Sequence, residues 1–154
     1  MTVYDVESIS FPYYGIIVEC FSSPLDNYDI IVYSVAKRMK GQYDMTRLFV
    51  YTAPFRSCWK AMGLDDADLV SLEQYLLENP QRGDVIEGTG GARKLRIQLN
   101  DNRGKSGGGR VIYLDVFEKE RLYLLFAYPK NVQENLTADQ KKAIAKMIEL
   151  IKKE

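Results

Sequence analysis

The sequence predicts an α+β domain in which helices pack on an antiparallel sheet. Short segments rich in β-forming residues alternate with segments whose apolar residues recur every three or four positions. From about Met45 onward the order of these segments is β-α-α-β-β-β-α. A chain of 154 residues, with 46% hydrophobic and 27% charged residues, is long enough and apolar enough to enclose a core. No apolar run reaches the roughly 20 residues of a membrane span, so we expect no membrane partner.

The domain begins with a strand and two helices. Residues 46–52 are rich in β-forming side chains and predict the strand. A proline near the start and a glycine just past the end predict a helix over residues 54–62. Asp65 or Asp66 caps the second helix, which an Asn-Pro pair ends. The apolar spacing predicts one buried face for this helix, made by Leu69, Leu72, Leu76 and Leu77.

The sequence of the second half of the domain predicts three strands and a final helix. A loop over residues 83–91 leads to strands at 92–99, 109–117 and 121–128. Thr137 is a favourable N-cap for the last helix, and Gln140 is placed three residues later to complete a capping box. An apolar stripe in that helix predicts a buried face, made by Ile144, Met147, Ile148 and Ile151.

Residues 1–44 stand apart from this domain and have two interpretations. One is a genuine extension, such as a hairpin on the sheet edge, built from the apolar patches at 14–18 and 30–35. The other is translated non-coding DNA, with Met45 as the native start. Codons for residues 25–27, 33–34 and 40–41 can spell, in order, two promoter elements and a ribosome-binding sequence. This order favours Met45, and we divide the chain into residues 1–44 and a domain over 45–154.

The composition excludes several kinds of active site. The chain has no histidine, which excludes Ser-His-Asp triads, histidine acid/base pairs and histidine metal sites. The two cysteines, Cys20 and Cys58, have neither metal-ligand nor redox spacing. We therefore expect neither a histidine nor a cysteine metal site, and we expect no cofactor. A reduced cytoplasmic protein is the simplest interpretation of this cysteine usage.

A cluster of cations lies in the middle of the domain. Between residues 93 and 110 the only acidic residue is Asp101. The basic residues in the same range are Arg93, Lys94, Arg96, Arg103, Lys105 and Arg110. Strand alternation places Lys94 and Arg96 on one face, opposite an apolar pair. Arg110 starts the next strand and can join them across an antiparallel pair. Lys130 follows the third strand, with Tyr128 two residues before it on the same side.

The cationic cluster suits a ligand with several phosphates. Arginine offers a planar fork for phosphate oxygens, and lysine offers a compact charge. The alternative is a solvated sheet face with ordinary ion pairs, but three converging segments with almost no acids favour an anionic ligand. The glycine-rich run at 104–109 does not match a phosphate-binding P-loop, because the first required glycine falls at Leu99.

Three segments together resemble the HigB-type toxins of the RelE superfamily. They read GDVIEGTGGARKLR at 83–96, GKSGGGRVIY at 104–113, and LLFAYPKN at 124–131, the last followed by Leu136-Thr137. The segments come in the family's order and spacing. The resemblance covers about 110 residues, from Met45 to the C-terminus.

The resemblance implies a RelE-like fold with helices on one face of the sheet and an mRNA-binding groove on the other. Members enter the ribosomal A site and cut the message without a metal. The implied chemistry is attack by the RNA 2′-hydroxyl on the adjacent phosphate, which leaves a cyclic phosphate and a 5′-hydroxyl.

The resemblance also implies roles for individual residues. Arg96 and Arg110 stabilise the negative charge that develops on the phosphate. Lys94 orients the 2′-hydroxyl or acts as a base, and Tyr128 and Lys130 serve the leaving-group side. The remaining cations are expected to bind RNA, namely Arg93, Arg103 and Lys105.

The resemblance implies a helix-turn-helix antitoxin of the HigA type, with DNA bound only through the antitoxin complex. Two other functions remain open within the same fold. Some relatives poison DNA gyrase, although those tend to lack the basic catalytic set. A non-catalytic RNA-binding protein would also use a basic groove, and substitution of Lys94, Arg96 and Arg110 separates it from a nuclease, since only cleavage would be lost.

Overall fold

The computed structural model describes residues 16–17, 31–36, 46–98 and 108–154. The helices are α1 (Ala53–Ala61), α2 (Asp66–Glu78) and α3 (Ala138–Lys153). The strands are β1 (Ile16–Ile17), β2 (Ile31–Ala36), β3 (Thr46–Tyr51), β4 (Asp84–Val85), β5 (Arg93–Ile97), β6 (Gly109–Val116) and β7 (Arg121–Pro129). Every element predicted after Met45 is present in the predicted order. The short strand β4 is an addition, since the sequence predicted only a loop there.

The described strands form one sheet in the order β1-β2-β3-β7-β6-β5-β4. Neighbouring strands are antiparallel with one exception, since β3 and β7 run parallel with Leu48 opposite Arg121. The predicted α+β class with a RelE-like arrangement is confirmed, and the parallel pair makes the sheet mixed. Strands β1 and β2 pair at the edge beyond β3, whereas the proposed boundary near Met45 stays a prediction.

Helices cover both faces of the sheet, not one face as the resemblance implied. Helices α1 and α2 pack on one face, in a core that includes Phe55, Trp59 and Leu76. Helix α3 packs on the other face through Ile148 and its neighbours. The reason lies in the central strands, because β6 and β7 are apolar and buried at consecutive positions. Strands that are apolar on both faces need cover on both faces.

Side-chain caps fix where the helices begin. The Thr52 hydroxyl accepts a hydrogen bond from the Phe55 amide (3.2 Å) and donates one to the Leu125 carbonyl (2.8 Å), which ties the start of α1 to β7. Asp65 caps α2, as one of the two predicted residues. The predicted capping box of Thr137 and Gln140 is present at α3. None of the helices that the structure describes is long and apolar enough to span a membrane.

The glycine-rich loop between β4 and β5 is held by a buried threonine. Thr89 is fully buried, and its hydroxyl donates to the Ile86 carbonyl (2.7 Å) and accepts from the Ala92 amide (3.2 Å). Gly88, Gly90 and Gly91 have positive φ values of 80°, 84° and 118°, which side chains rarely adopt. The motif therefore sets the position at which β5, the strand that carries the cations, enters the sheet.

Candidate functional site

The ladder places three of the predicted site residues in one row across the sheet. Arg96 on β5 is directly opposite Arg110 on β6, and Arg110 is directly opposite Tyr128 on β7. Residues directly opposite each other point to the same face. These side chains, called the cross-strand row below, lie on the face that α3 partly covers, since Tyr128 belongs to the core beneath that helix.

The two arginines of the row differ in their surroundings. Arg110 is only 6% exposed, and its guanidinium donates a hydrogen bond to the Gly109 carbonyl at 3.2 Å. Arg96 is exposed. Within the part of the chain that the structure describes, neither guanidinium forms an ion pair. Like charges directly opposite each other destabilise a sheet. Two such cations are therefore poised to share an anion such as phosphate.

Tyr128 ends the row as a buried phenol. The residue is 3% exposed, its ring packs beside Phe126 with 5.9 Å between centroids, and its hydroxyl donates to the Glu134 carbonyl at 3.4 Å. Burial raises the pKa of Tyr128, and the nearby Arg110 charge partly offsets this effect. The phenol is therefore neutral at physiological pH and able to donate a proton in a hydrogen bond.

Lys94 lies on the same face as the row, two residues before Arg96 on β5. In a strand, alternate residues are about 6.6 Å apart, so Lys94 and Arg96 can contact adjacent phosphates of one chain. The Lys94 ammonium donates to the side-chain oxygen of Asn135 at 3.2 Å. Asn135 lies just before α3, so the lysine is held towards the start of that helix.

Lys130 lies at the same end of the sheet as Arg110. It is exposed and directly follows β7. Its backbone amide donates to the Gly108 carbonyl at 2.9 Å, which joins the end of β7 to the start of β6. The structure therefore brings four of the predicted residues together on one face of the sheet, namely Lys94, Arg96, Arg110 and Tyr128. Lys130 lies just beyond the end of β7, next to this group in the chain.

Arg93 is not part of this group. It is opposite Tyr113, a residue of the core beneath α1 and α2, so it points to the other face of the sheet. Its guanidinium donates to the Gln81 carbonyl (3.2 Å) and the Gly83 carbonyl (2.8 Å), which holds the turn after α2. Arg103 and Lys105, the other predicted RNA-binding residues, lie outside the described residues.

Sequence reasoning missed two polar residues beside Lys94. Asn135 contacts the lysine directly, and Lys141 of α3 lines the same cavity. Neither follows a recognisable spacing, because they reach Lys94 only when α3 folds across the sheet. Among the side chains that the structure describes, no group of three or more acidic, cysteine or histidine residues is placed to hold a metal ion.

A comparison with protein families gives one match. The model of the family described as "RelE toxin of RelE / RelB toxin-antitoxin system" matches residues 47–153. The chain belongs to the RelE toxin family. The match contains β3 from its second residue, β4 to β7, the described helices α1 to α3 and every residue of the cross-strand row. It begins two residues after Met45.

Membership of the RelE toxin family defines the coarse function. This RelE toxin is the toxin component of a toxin–antitoxin system, and it acts with an antitoxin partner. RelE toxins are generally endoribonucleases. The exposed and buried arginines of the row are compatible with that activity, since both RNA binding and phosphoryl transfer need cations placed against phosphate oxygens.

Proposed function

We propose that this toxin is a ribosome-dependent endoribonuclease that cleaves mRNA in the ribosomal A site. The observation that carries the proposal is the cross-strand row, in which a neutral phenol and two arginines, which form no ion pair with any described residue, share one face with Lys94. A phosphate seated on Arg96 and Arg110 would have hydrogen-bond donors on both sides. The family's general activity supports the same reaction class.

The reaction proposed is an internal transesterification that needs no metal. The 2′-oxygen bonds to phosphorus, and the bond between phosphorus and the 5′-oxygen breaks. The 2′-hydroxyl proton passes to a water molecule while the Lys94 ammonium orients the 2′-oxygen, and the 5′-oxygen receives a proton from the side of Tyr128 and Lys130. The products are a 2′,3′-cyclic phosphate and a 5′-hydroxyl.

Charge stabilisation is the main contribution of the toxin's own residues. Arg110 is almost buried, so its charge acts through a medium that screens it less than water does. Arg96 is exposed and is free to follow the phosphate as it changes shape. Preorganised donors of this kind lower the barrier by about 2.7–4 kcal/mol each in well-studied enzymes.

The ribosome is expected to supply what this site lacks. The chain has no histidine to act as a proton carrier near neutral pH. Holding the message so that the 2′-oxygen lies in line with the leaving oxygen can replace much of the missing acid/base catalysis. We expect an antitoxin of the HigA type, a helix-turn-helix protein, to neutralise the activity in the cytoplasm. DNA contact would occur only through that complex.

The proposal is tested by expressing the full chain in bacteria and mapping the 5′ ends of cellular mRNA. The variants are Arg96→Ala and Arg96→Ala/Arg110→Ala, with Lys142→Ala as a matched control on the exposed side of α3. We expect in-frame cuts within translated messages from the wild type and the control. Loss of one oxyanion-binding donor lowers kcat by about 100- to 1,000-fold, so both active-site variants should leave the messages intact.

Product chemistry tests the mechanism separately. In a reconstituted translation reaction, the new 5′ ends should carry a hydroxyl, and a 2′-deoxy substitution at the cut nucleotide should abolish cleavage. Toxin treated with a chelator and then freed of it should cut at an unchanged rate. Growth arrest with intact mRNA would contradict the nuclease and favour a gyrase target. RNA binding without any cleavage would favour the non-catalytic alternative.

A further inference from the structure

A cavity of about 230 Å³ lies beside Lys94, where β4 and β5 meet the start of α3. Its lining includes Asp84, Ile86, Lys94, Asn135, Leu136 and Lys141. Cavities that hold drug-sized ligands have volumes of about 300–1,000 Å³, so this one suits a smaller group. A single nucleotide of an RNA chain is small enough for this cavity if its base lies inside and its phosphate lies at the rim.

The positive charges at the cavity rim form no ion pair with the residues that the structure describes. Asp84 is directly opposite Lys94 in the β4–β5 ladder, where an ion pair would be expected. The Lys94 ammonium instead donates to the amide oxygen of Asn135 at 3.2 Å, and no ion pair with Asp84 is found in the described structure. Lys141 lines the same cavity from α3. Two ammonium groups are thus available to one phosphate.

The rest of the lining suits a base. Leu136 is buried and Ile86 is half-buried, so the cavity has an apolar surface on which the flat face of a base can pack. Asn135 accepts from Lys94 with its oxygen, and its amide nitrogen still offers two donors. Asp84 offers acceptors on the other side. Donors and acceptors beside an apolar surface are what recognition of an unstacked base requires.

We infer that this cavity is a nucleotide subsite that holds the nucleotide next to the cleaved phosphate. The inference rests on the proposed nuclease function and extends it. Lys141 binds the phosphate of that nucleotide together with Lys94. Asn135 and Asp84 hydrogen-bond the edge of the base, and Leu136 packs against its face.

The lining sets a base preference. The Asp84 carboxylate accepts hydrogen bonds and gives none, so it favours a base that presents an amino group. Adenine, cytosine and guanine each present one. Uracil instead flanks its single N–H with two carbonyl oxygens, which a carboxylate repels. Uracil at this position should therefore be disfavoured.

The test maps cut sites in a reconstituted translation reaction that contains the full-length toxin and a pool of messages. We expect Lys141→Ala to lower kcat/KM about ten-fold, in line with the loss of one charge-assisted hydrogen bond. The control is Lys142→Ala, which removes an exposed ammonium one residue further along the same helix and outside the cavity. It should cut as the wild type does.

The base preference is tested with Asp84→Asn, which keeps the size of the side chain but replaces one acceptor by a donor. This variant should accept uracil next to the cut about ten-fold more often than the wild type, since one mismatched hydrogen bond is worth about that factor. Asp84 and Lys141 are either exposed or partly exposed, so melting curves like that of the wild type should confirm intact folds.

The outcomes separate this inference from the function on which it rests. Equal rates for Lys141→Ala and Lys142→Ala, or an unchanged base distribution for Asp84→Asn, would overturn the subsite. Cuts by the wild type in the same reactions would leave the nuclease standing. An absence of cuts by the wild type would overturn the nuclease and, with it, the subsite.

Discussion

Arg110 holds a positive charge in a nearly buried position, and packing alone does not require it. The residue is opposite a second arginine, Arg96, and finds its hydrogen bond on the neighbouring Gly109 carbonyl. A buried charge costs free energy unless it is paired, and apolar residues of similar volume are often more stable there. Retention of such a charge is the expected mark of a site where stability is given up for activity.

Glu73 is a buried ionisable residue of α2, outside the cross-strand row. It is 6% exposed within α2, and no hydrogen bond or ion pair to its carboxylate is found among the described residues. Burial raises the pKa of Glu73 from 4.5 to about 8. The folded protein therefore favours the protonated carboxyl. The neutral Glu73 carboxyl makes its full contribution to the free energy of unfolding below pH 4.5, and this contribution is lost as the pH rises towards 8.

Glu73→Gln should remove this pH dependence. The amide stays neutral and has nearly the same shape, so the free energy of unfolding should rise by roughly 1–3 kcal/mol near pH 7.5. Urea unfolding at several pH values from 4.5 to 8 provides the measurement. The control is Glu87→Gln at an exposed position. Parallel pH curves for wild type and Glu73→Gln would show that the carboxylate is not the cause.

At the scale of elements, the β4–β5 loop determines where β5, the strand that carries Lys94 and Arg96, begins. Thr89→Val keeps the shape of the side chain but removes a hydroxyl that makes two hydrogen bonds, to Ile86 and Ala92. The buried backbone groups would lose their partner, which costs about 1–3 kcal/mol. Thermal unfolding should show this loss, and cleavage should fall with it, because Lys94 is the second residue of β5.

Thr89→Ser serves as the matched control for the loop. It keeps the hydroxyl and removes only a methyl group, so most of the stability should remain. If the serine and valine variants lose equal stability, packing of the methyl group, not hydrogen bonding, holds the loop.

The elements themselves could be predicted from the sequence to a large extent, because their signals are local. Thr137 and Gln140 define the start of α3 by hydrogen bonds within four residues, and they appear as predicted. Strand β4 was missed because two residues carry no periodic signal. The face that α3 covers was also assigned wrongly. Consecutive buried residues along β6 need cover on both faces, whereas the resemblance implied helices on one face only.

The candidate site could be predicted in part for the same reason. Arg96 and Arg110 could be paired in advance, since a single connection joins their strands. Arg93 was grouped with them by charge, although strand alternation places it on the opposite face. Asn135 could not be predicted, because its contact with Lys94 spans 41 residues and depends on how α3 crosses the sheet.

At the scale of the molecule, two cores share one sheet. Val111 belongs to the core beneath α1 and α2, and the next residue, Ile112, belongs to the core beneath α3. A substitution that destabilises one core should therefore also destabilise the other, because both cores include residues of the same strands. Ile148→Ala, at a residue that is 1% exposed, should cost about 2–5 kcal/mol.

Fluorescence can report this coupling, because the chain has a single tryptophan. Trp59 lies in the core opposite to Ile148. We expect the Trp59 signal of Ile148→Ala to shift to a lower denaturant midpoint, together with the far-ultraviolet circular dichroism signal. The control is Val132→Ala, at a residue that is 72% exposed. Two separate transitions in Ile148→Ala would show that the cores unfold independently.

The parallel pairing of β3 with β7 also governs when activity can arise during synthesis. Strand β3 cannot pair with β7 until β7 has been synthesised. The hydrogen bond between Thr52 and Leu125, which spans 73 residues, illustrates this separation. Tyr128 and the helix that covers it are made later still. The cross-strand row, on which the proposed activity depends, is therefore incomplete in a nascent chain until β7 and α3 have left the ribosome. Pairing of strands that are far apart in the sequence is slow, so an antitoxin that is already present has time to bind the newly synthesised toxin.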